Sequence, residues 1–295
     1  MSRVSIAVTT YNNPVHIKKL LNSCRKQTFR DFEVFIADDG SSDNTVEIMN
    51  KYGEKDSKIH VFPLEHGERG IARLVAIGEA LKSKPEFLLI IDSDMFLKKD
   101  LLLKAVSKLE DNPKIEALVV KEIPYTKYEN FYSKVKVFER RLINNSGEYV
   151  DMNSIEAARF WRSDAYEATG GIHPEQIAFE EIQPTIKAME QGGIVKKLMA
   201  SGLYHDEKEV TLVNIIEKKK YYFKMMNKTI ETEDRGLFKA LSRWYLFRPV
   251  YYRKANLKLY LKHPLLTLGV VFMYVALTFI GAYEVLIHKV KKTNN

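Results

Sequence analysis

The chain has 295 residues, of which 45% are hydrophobic, so it can bury the core of an α/β domain and is not a disordered polypeptide. Its 46 Lys and Arg residues outnumber 38 Asp and Glu residues, and the formal net charge of +8 suits an anionic partner. Cys24 is the only cysteine, which excludes a disulfide framework and a cysteine-based metal site.

Predicted strands and helices alternate over the first hundred residues. Apolar runs predict strands at 4–8, 32–37, 59–62 and 87–91, with helices from Pro14, around Val46 and over 69–81. This alternation is typical of a sheet with parallel strands and right-handed crossovers. Beyond Lys121 the pattern is less regular, with an amphipathic segment at 128–142, a strand at 157–161 and a helix at 181–191.

Polar side chains follow three of these strands at the point where each ends. Thr9 closes the first strand, Asp38 and Asp39 close the second, and Asp92 closes the fourth. Because ligands of parallel sheets bind at the carboxyl ends of strands, we expect these residues to line one crevice. Of the two adjacent aspartates, we expect one to form the turn and the other to bind.

Asp92-Ser93-Asp94 places two carboxylates, one residue apart, at the end of a strand predicted to be buried. Such carboxylates can hold a hard divalent cation, Mg²⁺ or Mn²⁺, that also contacts phosphate oxygens. The cation would neutralise charge that develops on a departing phosphate group. An acidic loop without a ligand is the alternative, because acidic residues are common in turns.

Several motifs in this order resemble family 2 of the inverting nucleotide-sugar glycosyltransferases. The matching segments are Val4 to Asn12, Gln27 to Glu33, Asp38 to Thr45, Ala72-Arg73, Asp92 to Asp94, Gly170-Gly171 and Glu180-Glu181. The resemblance covers about the first 200 residues. It implies the GT-A fold, an α/β, Rossmann-like, mainly parallel sheet flanked by helices. It also implies a donor sugar linked to UDP or GDP, with Mn²⁺ or Mg²⁺ as the cofactor.

The same resemblance implies roles in binding the nucleotide. Thr9, Tyr11 and Asp39 would contact the base and ribose, and the Tyr11 ring would pack on the base. Arg73 matches a position near the nucleotide, with a solvated helix charge as the alternative. Asp92 would also lie at the nucleotide.

Candidate metal ligands and a candidate base follow from the resemblance as well. Asp94 and Asp92 would bind the metal, and His205 is a candidate third ligand, although a lone histidine is more often structural. Glu181, beside Glu180, falls at the position that resembles the base that deprotonates the acceptor. With an anionic acceptor, such as a polyprenyl phosphate, Glu181 would only position it. The alternative is that both glutamates stabilise the first turn of a helix.

The acceptor side is assigned by position alone. Asn153, Arg159 and His173 flank it, around the segment that leads to Gly170-Gly171. The two glycines predict a turn that brings backbone close to the donor or to Asp92 and Asp94.

The C-terminal third has a different composition. Between 218 and 253, Lys and Arg residues interleave with aromatic residues, which favours a bilayer interface. Residues 265–287 then form a 23-residue run with one charge, Glu284. At about 1.5 Å per residue the run reaches ~35 Å, enough to cross a bilayer core. A buried core helix is the alternative.

We therefore predict a GT-A catalytic domain at 1–206, a basic and aromatic membrane-interface region with interfacial helices at 207–262, a transmembrane helix at 263–288, and a basic tail at 289–295. Met1 leads straight into a strand without a signal-peptide pattern, so we expect the catalytic domain on the cytoplasmic side of the cell membrane. The expected acceptor is membrane-associated, a lipid-linked phosphate or saccharide, with membrane lipids as partners. Nucleic acid is not expected, because the basic and aromatic residues adjoin the apolar run.

Two alternative functions stay open. A processive polysaccharide synthase would have a similar catalytic domain, and Arg243-Trp244 resembles part of such an enzyme's acceptor motif. However, Ala240 replaces the expected Gln, and one membrane span is too few for a polymer channel. A non-catalytic membrane scaffold that binds sugar nucleotides is the other alternative. Product formation from any donor would exclude the scaffold.

Overall fold

A computed structural model describes residues 2–67, 69–150, 156–172, 182–218, 220 and 249–293 of the protein. The chain forms two compact units, Met1–Ile123 with Gly147–Asp206, and Pro124–Ser146 with Glu207–Asn295. The segment 124–146 therefore packs in the second unit, whereas the sequence placed it inside the catalytic domain. The functional boundaries stay a prediction.

The first unit contains an eight-stranded sheet and flanking helices. Its strands are β1 (Val4–Thr10), β2 (Phe32–Asp38), β3 (Ile59–Pro63), β4 (Phe87–Asp92), β5 (Met95–Leu97), β6 (Ile115–Tyr125), β7 (Arg159–Arg162) and β8 (Ile194–Asp206). Its helices are α1 (Pro14–Arg25), α2 (Thr45–Gly53), α3 (Arg69–Lys82), α4 (Leu101–Glu110), α6 (Ser163–Ala168) and α7 (Gln183–Glu190). Helix α5 (Phe131–Asn144) belongs to the second unit.

The sheet has the order β3-β2-β1-β4-β7-β6-β8-β5. Strands β1 to β4 are mutually parallel where they pair, as the sequence predicted. The chain moves from β1 outward through β2 and β3, and then returns to place β4 on the other side of β1. This reversal creates a crevice at the carboxyl ends of the strands, where Thr9 lies beside both Ala37 and Asp92.

The other half of the sheet is antiparallel at its pairings β4 with β7, β7 with β6, and β5 with β8. The sequence predicted β7 but not β5, β6 or β8. The pairing of β5 with β8 sets Met95 opposite His205, so it brings the segment after Asp92 to a histidine more than a hundred residues away.

Core packing explains why these elements form. Every residue of β1 is buried, which suits a strand covered on both faces. On α1, Pro14 occupies the first turn, and the buried residues Ile17, Leu20, Leu21 and Cys24 recur with helical spacing. Helix α3 contributes small residues, Ala72, Ala76 and Ala80, to the core against β1 and β2.

The second unit is built from helices. These are α5 (Phe131–Asn144), a helical stretch over 212–218, a 3-10 turn (Pro249–Tyr252), α8 (Lys254–Lys262) and α9 (Pro264–Thr293). Asn130 caps α5, since its side chain accepts a hydrogen bond from the Ser133 N–H. Within the described residues, one helix is long and apolar enough to cross a membrane by length and composition, at Pro264–Tyr283.

Candidate active site

The loops after β1 and β2 are joined by side-chain hydrogen bonds. The Asn12 N–H donates to Ser41 Oγ at 2.8 Å, and the Asn12 side-chain oxygen accepts from the Ser42 N–H at 2.9 Å. The Asn13 N–H donates to Thr45 Oγ1 at 2.9 Å. Because both loops start at the carboxyl ends of paired strands, these bonds fix one wall of the crevice.

The two aspartates that end β2 have different contacts. Asp38 is fully buried, and its carboxylate accepts hydrogen bonds from the N–H and hydroxyl of Ser41. Asp39 accepts from the Gly67 N–H at 3.1 Å, and its carboxylate lies 3.4 Å from His66 Nδ1. Asp38 is therefore the turn-forming residue of the pair, and Asp39 binds the segment after β3 through His66 and Gly67.

Tyr11 and His66 form a stacked aromatic pair at the same edge. Their ring centroids are 4.4 Å apart with an interplanar angle of 14°, and Tyr11 is 43% exposed. Gly40 makes this arrangement possible, because its φ is +71° and an added Cβ would lie 2.4 Å from the His66 backbone nitrogen. The pair presents a flat, partly exposed surface that suits a nucleobase.

Asp92 is engaged by residues of two other elements. The Arg73 guanidinium of α3 forms an ion pair with Asp92 Oδ1, and Thr9 Oγ1 donates to the same oxygen at 3.3 Å. Arg73 is 3% exposed, so it is a buried partner of Asp92 and not a solvated helix charge. The arrangement brings together three of the predicted nucleotide-binding residues.

The middle residue of the acidic motif is fixed against α1. Ser93 is buried, and its hydroxyl accepts from Asn13 Nδ2 at 2.8 Å. The Asn13 side-chain oxygen lies 2.6 Å from His16 Nδ1, and His16 Nε2 lies 3.4 Å from Asp206 Oδ2. Lys19 contacts the same Asp206 oxygen at 2.9 Å. This polar chain holds both flanks of the acidic turn, since the Asp206 N–H also donates to the Asp94 carbonyl.

Asp94 and His205 face each other beyond this turn. His205 is buried, and its Nε2 lies 3.8 Å from Asp94 Oδ1. The other ring nitrogen, Nδ1, lies 3.0 Å from Glu122 Oε2. Glu122 is 1% exposed on β6, and its second oxygen accepts from the Ala157 N–H at 2.9 Å. A buried carboxylate therefore holds the orientation of the histidine.

These residues fit a divalent cation. Asp94 Oδ1 is a buried atom with no hydrogen-bond partner among the described residues, which is costly for a carboxylate oxygen unless a cation binds there. A carboxylate oxygen and an imidazole nitrogen are both ligands of Mn²⁺. The described residues contain no cluster of three or more His, Cys, Asp or Glu side chains that could hold a metal, so further ligands would come from phosphate oxygens and water. Asp92 points instead to Arg73.

Arg159 lies inside the protein. It is 1% exposed on β7, and its guanidinium donates to Thr185 Oγ1 at 3.1 Å and to backbone carbonyls of Glu156 and Ala158. Glu156 in turn forms a buried ion pair with Lys197. The side chain thus ties β7 to α7, and its predicted place on the acceptor side stays a prediction.

Three predicted site residues, Glu180, Glu181 and Asn153, lie outside the described residues, and so does His173. Sequence reasoning missed Glu122 and His66. Glu122 follows a lysine near the end of a strand that also carries Glu116, and nothing in the pattern distinguishes it from a surface charge. A histidine next to a glycine in a predicted loop gives an equally weak signal at His66.

A family model for "Glycosyl transferase family 2" matches residues 5–169, which is more than half of the chain. The chain belongs to glycosyl transferase family 2. This match confirms the resemblance inferred from the motifs and covers the acidic turn and both loops of the crevice.

Relatives of the family-2 chain include poly(ribitol-phosphate) beta-N-acetylglucosaminyltransferase TarS of Staphylococcus aureus strain MW2. It is 27% identical over 218 residues, or 70% of this chain and 36% of TarS. The "Putative glycosyltransferase EpsH" of Bacillus subtilis strain 168 is 34% identical over 97 residues, or 33% of this chain and 27% of EpsH. The chain thus spans about a third of the length of these relatives.

Solved structures share the fold of this family-2 chain. The crystal structure of S. aureus TarS 1-349 has a TM-score of 0.58 at 21% identity and covers 93% of this chain and 80% of that one. The mannosyltransferase PcManGT from Pyrobaculum calidifontis, in complex with GDP-Man and Mn²⁺, has a TM-score of 0.54 at 18% identity, with 99% and 80% covered. The predicted α/β, GT-A fold is confirmed.

Proposed function

We propose that this chain is an inverting glycosyltransferase that moves a sugar from a UDP- or GDP-linked donor to a membrane-associated acceptor, a lipid-linked phosphate or saccharide, with Mn²⁺ or Mg²⁺ assistance. The observation that carries the proposal is the pairing of Asp94 Oδ1 with His205 Nε2 at the end of the crevice. It provides an anionic oxygen and an imidazole beside the strand ends that bind ligands in such sheets.

The metal would be held by Asp94 and His205. When bound, the cation supplies positive charge to the diphosphate of the donor. Glu122 orients the His205 ring so that Nε2 faces Asp94, and Ser93 with Asn13 fixes the turn that carries Asp94. Asp92 contributes through Arg73, whose buried charge lies next to the acidic turn.

The nucleotide would bind along the β1 and β2 loops. The Tyr11 ring packs on the base, and Thr9 and Asp39 lie at the strand ends on either side. Backbone and carboxylate groups here provide hydrogen-bonding partners for the base and ribose. TarS structures contain UDP or UDP-GlcNAc, and PcManGT contains GDP-Man, which supports a nucleotide-sugar donor without choosing between UDP and GDP.

Glu181, with Glu180 beside it, would act on the acceptor. A carboxylate on the side of the anomeric carbon opposite the leaving diphosphate can take the proton of an acceptor hydroxyl as it attacks. An acceptor phosphate carries no such proton, and Glu181 would then align it. The role rests on the sequence motif.

A membrane acceptor is supported by the second unit. Its helix α9 contains the apolar stretch Pro264–Tyr283, and α8 before it exposes three lysines, Lys254, Lys258 and Lys262. Such a unit would bring the enzyme to a membrane on whose surface the acceptor lies. We place the catalytic domain on the cytoplasmic side, where nucleotide sugars are made.

The test is a donor screen with purified full-length protein and Mn²⁺ or Mg²⁺. UDP- and GDP-linked sugars are each incubated with a lipid extract or with soluble saccharides, and both nucleotide release and the glycosylated product are followed. The proposal predicts lipid-stimulated release from one donor, with the sugar recovered in the lipid phase.

Three other outcomes would contradict it. If the full chain and a variant that ends at Asp206 transferred sugar equally well to soluble saccharides, the proposed membrane acceptor would be wrong. Nucleotide binding without release from any donor would favour the non-catalytic scaffold. A product that grows by many sugars would favour a processive synthase.

A further inference from the structure

Helix α8 exposes two adjacent rows of side chains. Lys254, Lys258 and Lys262 recur every four residues, and Leu257 and Leu261 follow the same spacing one row away. Both leucines are exposed, Leu261 to 74%. A helix that exposes leucines beside lysines suits a surface that is apolar and anionic at once.

Helix α9 also exposes apolar residues along one face. Phe279 is 72% exposed, and the other large exposed apolar residues on this face are Leu265, Leu268, Val271, Phe272, Val275 and Tyr283. The opposite face carries the buried residues Val270, Met273, Tyr274 and Leu277. The helix thus has one face packed in its own unit and another that water would cover unless a partner does.

The packed face is fixed to α5 at close range. Gly269 allows the approach, because an added Cβ would lie 2.6 Å from Val135 Cγ2 and 2.8 Å from Phe131 Cζ. One turn further on, the Tyr274 hydroxyl donates to the buried carboxylate of Glu139. The Tyr251 hydroxyl lies in hydrogen-bond contact with Tyr274 and completes this buried polar cluster.

This cluster decides how α9 can meet a bilayer. Tyr274 lies about halfway along Pro264–Tyr283, so a helix that crossed the bilayer would place it near the centre of the hydrocarbon. Its partner Glu139 and the neighbouring Lys136 and Arg140 on α5 would then enter the hydrocarbon too, which is unfavourable for charged groups. If α9 instead lies along the bilayer surface, Tyr274 keeps its contact with Glu139 and the charged residues of α5 stay hydrated.

We propose that α8 and the exposed face of α9 form one docking face that lies in the plane of an anionic phospholipid bilayer, with the leucine and phenylalanine row in the lipid and the lysine row at the headgroups. This goes beyond the proposed sugar transfer, because it concerns the orientation of the membrane unit. The sequence predicted a crossing helix at 263–288, and the two arrangements differ in measurable depth. The lysine row favours lipid over a second copy of this chain, whose own +8 charge would repel it.

Depth can be measured with spin labels on full-length protein bound to vesicles of phosphatidylcholine and phosphatidylglycerol. The only native cysteine, Cys24, is buried, and burial raises the pKa of its thiol to about 12, so it is a poor target for labelling. Labels at Leu265→Cys, Phe272→Cys and Phe279→Cys sit on one face at seven-residue intervals. A label at Leu103→Cys, an exposed position on α4 of the first unit, is the matched control.

The in-plane arrangement predicts the same shallow depth at all three positions, from collision with oxygen and with a water-soluble nickel complex, while Leu103→Cys stays in water. A crossing helix would instead make Phe272→Cys the deepest and both ends shallow, and would overturn the proposal. Labels that stay in water would also overturn it. Broadening of the label spectra by labels on a neighbouring chain would overturn it as well, because a second copy of the chain would then cover this face.

The lysine row has its own test. Replacement of Lys254, Lys258 and Lys262 by Gln should weaken binding to the anionic vesicles by roughly a hundredfold, at about fivefold for each lysine. The control replaces three exposed lysines of the first unit, Lys18, Lys55 and Lys114, and changes the net charge equally. Equal weakening by both triple variants would show that overall charge, and not this face, directs binding. These measurements need no sugar transfer, so their failure is distinct from failure of the enzymatic proposal.

Discussion

The Nε2 atom of His205 lies 3.8 Å from Asp94 Oδ1, and the far side of the same imidazole meets the buried carboxylate of Glu122. The two facing residues come from β8 and from the turn before β5, which the sheet pairs in antiparallel fashion. A carboxylate behind a histidine is the arrangement that orients metal-binding imidazoles in proteins. Glu122 is therefore a positioning residue, and its effect should appear first in metal affinity.

Glu122→Gln should lower the affinity for Mn²⁺ by about 10- to 100-fold. The amide can keep only one of the two acceptor contacts, to His205 or to Ala157, because its NH₂ group cannot accept. Electron paramagnetic resonance of free Mn²⁺, titrated with protein in the presence of UDP or GDP, measures the effect without turnover. Glu116→Gln, on the same strand but partly exposed, is the control and should bind Mn²⁺ normally. Unchanged affinity in Glu122→Gln would contradict the orienting role.

Arg73→Leu should destabilise the protein by about 3 kcal/mol, because it leaves Asp92 without its charged partner at the edge of the core. Asp92→Asn combined with Arg73→Leu should recover part of that loss, since no unpaired charge remains. Urea unfolding of the two single variants and the double variant measures the coupling as a double-mutant cycle. Additive losses would mean that the ion pair contributes little.

Tyr11→Ala should weaken nucleotide binding roughly tenfold, whereas Tyr11→Phe should keep most of it, because stacking needs the ring and not the hydroxyl. Calorimetric titration with UDP and with GDP reports the change and also indicates which base the site prefers. The control is Tyr149→Ala, which removes another exposed tyrosine of the first unit. If the Phe and Ala variants bind equally poorly, the hydroxyl carries the interaction and the stacking account is wrong.

Glu181→Gln should lower kcat by at least a hundredfold with a hydroxyl acceptor, because the amide cannot take a proton. Glu180→Gln should cause a smaller loss. The dependence of kcat on pH separates the two possible roles of Glu181: a base gives an acidic limb that the variant loses, whereas a positioning group leaves the profile unchanged. An equal loss in both variants would oppose the assignment of the base to Glu181.

The sequence predicted the parallel half of the fold well because its strands are mostly apolar runs, and β1, β2 and β4 end in polar residues. Thr9, Asp39 and Asp92 come together at the crevice as expected, since parallel register alone fixes the strand ends. The strands of the antiparallel half were harder to predict from the sequence. Strand β5 has three residues, and its partner β8 interrupts apolar residues with lysines, so neither has a clear period.

The candidate site divides in the same way. The sequence named both Asp94 and His205 as candidate ligands, but their approach to each other depends on the pairing of β5 with β8, which no local pattern revealed. The burial of Arg159 could not be predicted, because a positive charge in a short strand is usually at the surface, whereas here Thr185 and backbone carbonyls accept its hydrogen bonds inside the protein. Glu122 escaped notice for the converse reason: its significance comes only from the histidine that folds against it.

The measurement that tests the account most directly is release of UDP or GDP from the accepted donor by Asp94→Asn, with metal and lipid acceptor present. Asn keeps the size of the side chain but removes the charge that would hold the cation. We predict that turnover falls by roughly a hundredfold or more, while Asp111→Asn, an exposed aspartate at the end of α4, retains the wild-type rate. Wild-type turnover by a folded Asp94→Asn protein would contradict metal-assisted transfer at this site.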